Sequence, residues 1–160
     1  MVNADIPRIT IQEPKFPSWW FVLAVIIFTI IASLIYSNLK AEEVDLKIIA
    51  QIESSNNPDA YNKGSKATGM YQITPICLKD YNQLNNRQFE LSEMFDPAKA
   101  EIVARWYLNR RIPALLKHFH IADTLENRLW CYNAGIGLCK KGIMPKETKN
   151  YIVKYKRLKK

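Results

Sequence analysis

Glu53 occupies a position where a carboxyl group could be made to work as an acid near neutral pH. It closes an apolar stretch in which Val44, Ile48 and Ile52 recur at i, i+4 and i+8, the stripe of an amphipathic helix. Ser54-Ser55-Asn56-Asn57-Pro58-Asp59 follows as turn chemistry and stops that helix. The carboxylate therefore faces the negative end of the helix dipole. Partial burial there disfavours the charged form as well and raises the pKa, the shift a general acid needs. An ordinary surface glutamate at a helix end fits the periodicity equally. Metal chemistry has less to build on: His118 and His120 form an H-x-H with no third ligand nearby. Cys77, Cys131 and Cys139 include no C-x-x-C. Cys131 and Cys139 could pair across a short loop if it folds back far enough, although reduced or buried thiols are the expected state.

The elements that must position Glu53 are mainly α-helical. The spacing predicts a helix from Ala41, with Glu42 and Glu43 in its first turn, to about Ser54. Thr74-Pro75 marks a second start, an N-cap followed by proline at the first helical position. Asp96-Pro97 repeats the device, and Pro113 is expected to stop that helix after Arg110 and Arg111. Asp123 and Glu126 stand in capping-box spacing before a helix that closes at Gly135, and Pro145 opens a last one through Tyr155. Strand signals reduce to one short hairpin between Tyr61 and Ile73.

A set of short motifs occurs in order: Ile52-Glu53-Ser54-Ser55, Asn57-Pro58-Asp59-Ala60, Gly69-Met70-Tyr71-Gln72-Ile73, Tyr132-Asn133-Ala134-Gly135, then Pro145, Glu147-Thr148 and Tyr151-Ile152. Together they resemble the soluble lytic transglycosylase (SLT) domain, the goose-lysozyme-like branch of the lysozyme superfamily. Phe95-Asp96-Pro97 and Trp106-Tyr107-Leu108 resemble that family's middle helix, and the resemblance covers about residues 42–156. It implies a lysozyme-like fold and roles for individual positions. Glu53 matches the catalytic acid that later acts as base. Gln72 would reach into a glycan cleft, Tyr132 and Asn133 would lie beside the cleaved bond, and Tyr151 would point its hydroxyl at Glu53. Ser65 resembles a serine near the sugar N-acetyl group. Two departures stand out. Tyr71 precedes the glutamine where the family usually has methionine, which is expected to alter how a sugar ring is clamped. Cys131 replaces the usual alanine before Tyr-Asn.

The carboxylate count shapes the expected chemistry. A retaining glycosidase needs a second carboxylate about 5 Å from the first, and an inverting one needs it farther off. Asp59 and Asp80 are the nearest acidic candidates, and neither matches a catalytic position of the resembled family. The resemblance thus implies a lytic transglycosylase that cleaves the MurNAc-GlcNAc β-1,4 bond of peptidoglycan strands and leaves 1,6-anhydromuramic acid, with no metal or cofactor. A hydrolytic muramidase on the same fold is the nearest alternative. A weakly active wall-binding component of a secretion, conjugation or phage entry apparatus is an alternative from another class.

Trp19 to Tyr36 is an 18-residue run without charge, which at the helical rise covers roughly 27 Å, close to the bilayer hydrocarbon thickness. Trp19, Trp20 and Tyr36 sit at its ends, where amphipathic rings prefer the headgroups. A buried core helix or a cleaved signal peptide would explain the run less well, since a signal core is usually shorter, roughly 7–15 residues. One N-terminal transmembrane helix at 19–36 is therefore expected, after a short tail over 1–18 and before a catalytic domain over 41–160. Lys and Arg are nearly balanced around the span, so charge alone does not orient it. Peptidoglycan as substrate does: the tail would be cytoplasmic, and the single-pass protein would hold its catalytic domain on the periplasmic side of the inner membrane. If the span and the Glu53 helix ran on continuously, the acid would stand about 26 Å from Tyr36. Residues 41–160 carry 20 Lys plus Arg against 13 Asp plus Glu, a surface suited to an anionic partner. No helix-turn-helix, zinc finger or RNA-binding aromatic motif is present, so nucleic acid is not an expected partner.

Overall fold

The computed structural model describes residues 19–39 and 42–160, with side chains in the first helix described as far as Ala32. The chain divides into two compact units, residues 1–40 and 41–160. In the first unit, α1 (Trp19–Leu39) is a single apolar helix. Every side chain described in it, from Trp19 to Ala32, is exposed. Among the described residues no helix is long and apolar enough to cross a membrane. The expected span to Tyr36 runs past the described side chains, and the expected tail over 1–18 lies outside the described residues.

The second unit is mainly helical. Its first helix, α2 (Leu46–Ser54), starts five residues later than the sequence pattern suggests. Asp45, not the Glu42-Glu43 pair, is its N-cap: the side chain accepts a hydrogen bond from the Lys47 amide at 2.9 Å. Glu42 to Asp45 are non-helical, so no continuous helix joins α1 to α2. The apolar stripe continued upstream through Val44, which is buried but non-helical, and periodicity alone could not see the cap. Strands β1 (Tyr61–Asn62) and β2 (Ala67–Thr68) pair antiparallel, Tyr61 opposite Thr68, and Thr68 bridges on to Ile73.

Helix α3 (Pro75–Asn85) begins at the expected Thr74 cap, whose hydroxyl accepts from the Cys77 amide. After a 3-10 turn at Leu91–Phe95 comes α4 (Pro97–Trp106), capped by Asp96 as expected. The predicted stop at Pro113 is not there. A π turn at Tyr107–Arg111 leads directly into α5 (Ile112–His118), with Pro113 in its first turn. Proline lacks the N–H and crowds the carbonyl four residues back. The wider π turn, where the Ile112 amide bonds Tyr107 O, relieves that crowding, so the helix passes through.

In α6 (Leu125–Ala134) the N-cap is Thr124, which accepts from the Asn127 amide. Asp123 is drawn away from the expected capping box by the buried Arg128, which donates from Nε at 2.6 Å and Nη2 at 2.8 Å to its two oxygens. A charge-assisted bidentate pair outcompetes a cap. Gly135 ends α6, and short α7 (Ile136–Cys139) and α8 (Lys146–Leu158) follow. The core lies where α2 meets α4 and α8. Ala50, Ala100 and Ala104 are fully buried, as are Ile49, Val103, Leu129 and Tyr155; the small residues let the helices approach closely and the large ones fill the gaps between them.

Candidate active site

Two tyrosines on one face of α8 hold α2 at both ends. Tyr151 and Tyr155 are four residues apart, hence one above the other. The Tyr155 hydroxyl accepts from the Asp45 amide at the start of α2, at 2.7 Å. The Tyr151 hydroxyl donates to Glu53 Oε1 near its end, at 2.8 Å. The later tyrosine meets the earlier end, so the helices run antiparallel and Glu53 is fixed against α8.

Glu53 is half-buried at its surface but its carboxyl group is sheltered, and its pKa is raised from 4.5 to about 7. Burial is the main cause; hydrogen bonding from Tyr151 draws the value back down, the negative charge of Glu147 adds to the rise, and Lys154 lowers it. Desolvation thus wins over the one direct donor. The same surroundings push the Tyr151 phenol well above its ordinary value, through burial first and the Glu53 charge next. Tyr151 therefore stays a hydrogen-bond donor throughout the useful pH range.

The turn carrying Gln72 is bound to both helices of the site. Gly69 O accepts from the Gln72 amide, Met70 O from the Ser54 hydroxyl at 2.9 Å, and Tyr71 O from the Tyr132 hydroxyl at 2.7 Å. Ser54 follows Glu53 on α2, and Tyr132 precedes Asn133 on α6, so one turn ties the acid's helix to the opposite wall. Gly69 is required there: its φ is +75°, and a Cβ would lie 1.9 Å from Met94 O. Gln72 has φ 48°, a left-handed conformation uncommon outside glycine and asparagine. Its side-chain nitrogen donates back to Gly69 O at 3.0 Å and Ala60 O at 3.4 Å.

Gln72, Tyr132 and Asn133 line one cleft of about 410 Å³, with Tyr107, Cys77, Ile76 and the Gly135–Gly137 segment. Tyr107 packs edge-on against Tyr132 with ring centroids 6.3 Å apart. Glu53 and Tyr151 are not among that cleft's lining residues, but Glu53 lies near enough for its charge to raise the buried Tyr132 phenol, after burial itself. Five of the six expected residues are thus joined directly or through one turn. Ser65 is not: it is exposed in the β1–β2 turn, and its hydroxyl accepts from the Ala67 amide. A groove of about 490 Å³ between α3 and α4 contains none of the six.

Tyr71 does not sit in the cleft either. Its side chain is buried in the core and reaches a groove beside Val44, Asp45 and Arg105, while only its carbonyl serves the site. The structure thus places the Tyr71 side chain apart from Gln72, Tyr132 and Asn133, which line the cleft. Thr148 is a residue to which sequence reasoning assigned no part. It is fully buried, and its hydroxyl donates to Asn133 Oδ1 at 2.7 Å. That bond orients the Asn133 amide beside the cleft it lines. The signal in the sequence was the Glu147-Thr148 pair, which marks the position without giving it a role.

A family model described as the transglycosylase SLT domain matches residues 35–153. No curated protein and no solved structure matches the chain.

Proposed function

We propose that this chain, which belongs to the transglycosylase SLT-domain family, is a lytic transglycosylase of peptidoglycan with Glu53 as its single acid and base. The family acts on peptidoglycan by glycosidic bond cleavage. The observation carrying the finer reading is the Glu53 carboxyl group, held near a pKa of 7 by burial and oriented by Tyr151.

Protonated Glu53 delivers its proton to the oxygen linking MurNAc to GlcNAc as the β-1,4 bond breaks. The substrate's own N-acetyl carbonyl supports the positive charge left on the muramyl C1. Glu53, now a carboxylate, takes the proton of the muramyl 6-hydroxyl, whose oxygen bonds C1. The acid is restored and a 1,6-anhydro ring closes. The attacking hydroxyl is part of the substrate, with the proximity advantage of an intramolecular step. No second carboxylate is needed, unlike in ordinary glycosidases. Gln72, Tyr132 and Asn133 bind the sugar in the cleft, Tyr151 holds the acid, and Ser65 meets the N-acetyl group only if its turn folds inward.

The unit 41–160 acts from an anchor at Trp19–Tyr36, single-pass in the inner membrane, with the domain on the periplasmic side and a cell-envelope complex as its proposed host. The uncharged exposed helix from Trp19 supports this. Mass spectrometry of muropeptides released from purified sacculi is the test. Products ending in 1,6-anhydromuramic acid, one water lighter than hydrolysed ends, are expected. Reducing muramic ends would instead make the chain a muramidase, and no release would leave it a wall-binding component.

A further inference from the structure

Residues 146–160 carry seven Lys plus Arg and one acid, Glu147. Helix α8 sorts them by face. Thr148, Tyr151, Ile152 and Tyr155 form its buried stripe. Lys146, Lys149, Val153 and Arg157, at i, i+3, i+7 and i+11, form an exposed stripe on the opposite side. Glu147 is about 100° round the helix from Lys146, off that stripe. Lys156 and Lys159 are paired with Glu126 and Glu42. Among the described residues, Lys146, Lys149, Arg157 and Lys160 have no ion pair. The outward stripe keeps its charge.

The end of α8 also lies beside the entry to the domain. Lys159 Nζ donates to Glu42, and the Tyr155 hydroxyl accepts from the Asp45 amide at 2.7 Å. Two residues separate Glu42 from Leu39, the last residue of α1, a length of chain that spans at most about 11 Å. A membrane holding α1 is therefore within reach of Arg157 and Lys160. We propose that the outward stripe of α8 docks on the anionic phospholipid headgroups of that membrane, so that the domain is held by an electrostatic contact as well as by its tether. The inference rests on the anchor proposed above.

Charge and shape both suit a lipid surface. A cluster of about four or more Lys and Arg on a helix face complements anionic headgroups, and the long side-chain stems let the charges reach phosphate level. Val153, 65% exposed among those cations, gives the stripe an apolar contact for the interface. From Lys146 to Arg157 the stripe runs straight for about 16 Å, a linear array that meets a plane. Glu53 is bonded to Tyr151 on the buried face, so docked α8 lies between the headgroups and the acid. Glu53 then stands about one helix diameter, ~10 Å, beyond α8 and cuts glycan close to the membrane.

The full-length chain is assembled into nanodiscs of phosphatidylcholine alone or mixed with phosphatidylglycerol. Its lysines are acetylated at low salt and mapped by mass spectrometry. Lys146 and Lys149 should react several-fold more slowly on the anionic discs, while Lys63 and Lys66, exposed in the β1–β2 turn, react equally on both. Salt at about 1 M, where the Debye length is about 3 Å, should abolish the difference. Lys149→Glu with Arg157→Glu, both at exposed positions, should abolish it at Lys146. Equal rates on the two discs overturn the proposal. Protection by sacculi but not by anionic discs overturns it too, assigning the stripe to wall carboxylates. The anchor is read separately, by co-elution with the neutral discs. A chain that enters them without differential protection sinks the docking alone; one that stays out yet is protected on anionic discs sinks the anchor alone.

Discussion

The Tyr151 hydroxyl donates to Glu53 Oε1 at 2.8 Å across 98 residues of chain, and it opposes the effect of the burial around it. Desolvation raises the carboxyl pKa while the hydroxyl bond lowers it, and the outcome is about 7. Two sites far apart in sequence thus set one number together.

Tyr151→Phe removes the lowering contribution and keeps the packing. The Glu53 pKa should rise further, so the alkaline limb of kcat/KM moves to higher pH than the wild-type limb near 7. A pH–rate profile on sacculi checks this. An unmoved limb would mean that the hydroxyl does not tune the acid.

Glu53→Gln cannot deliver a proton, so turnover should fall at least ~100-fold. Its stability carries the opposite sign. The native carboxyl holds a proton that the unfolded chain releases between pH 4.5 and about 7. Ionising Glu53 therefore weakens the wild type as pH rises through that window. Above pH 7 the amide variant should be more stable by about 2–3 kcal/mol, with no such gain below pH 4.5. Denaturant titrations at about pH 4 and about pH 8, either side of that window, measure both. A variant that unfolds more readily than the wild type on the alkaline side contradicts the burial argument.

Thr148→Val removes the donor to Asn133 Oδ1 and leaves a sheltered acceptor without its partner, for about 1–3 kcal/mol of stability. Asn133 then loses its fixed orientation, so KM for glycan strands should rise more than kcat falls. Thr148→Ser retains the hydroxyl and should restore both. Equal behaviour of the Val and Ser variants would show that the bond has no part in binding.

Gly69→Ala places a methyl group against Met94 O at an impossible distance and in a left-handed backbone. Destabilisation of about 3 kcal/mol or more is expected, with loss of the turn that carries Gln72. Thermal unfolding of the variant checks it, and a near wild-type midpoint would show that the turn can move off Met94.

Ile26→Arg with Ile27→Arg probes the proposed anchor. Each charge at a span centre costs roughly 2.5–3.5 kcal/mol, so the variant should leave the membrane fraction or misroute. Retention equal to wild type on cell fractionation would rule out a spanning segment there.

The helix starts at Thr74, Asp96 and Pro145 and the stop at Gly135 were legible because caps, prolines and glycines act locally. The start of α2 was not, since Val44 extends the apolar stripe beyond the true cap at Asp45. Pro113 misled for a related reason: its rule assumes an α-helical neighbour, and the π turn before it changes that neighbour. In the site, Glu53 and Tyr151 could be paired from ordered motifs. The burial of Tyr71 and the Thr148–Asn133 bond between α8 and α6 depend on tertiary packing, which residue spacing does not encode.

The left-handed backbone at Gln72 has a consequence for any effort to harden this protein against heat. A non-glycine residue in that region costs on the order of 1 kcal/mol. Gln72→Gly or Gln72→Asn therefore eases the backbone but removes the side-chain nitrogen that donates to Gly69 O and Ala60 O, together with the side chain that lines the cleft. On the proposed function, backbone ease, the bracing of the turn and glycan binding all bear on this one residue. A library at this position screened for heat resistance weighs the left-handed backbone against those two bonds, and the same library screened on sacculi is expected to keep the glutamine. The ratio of the two outcomes measures what the amide contributes to the substrate.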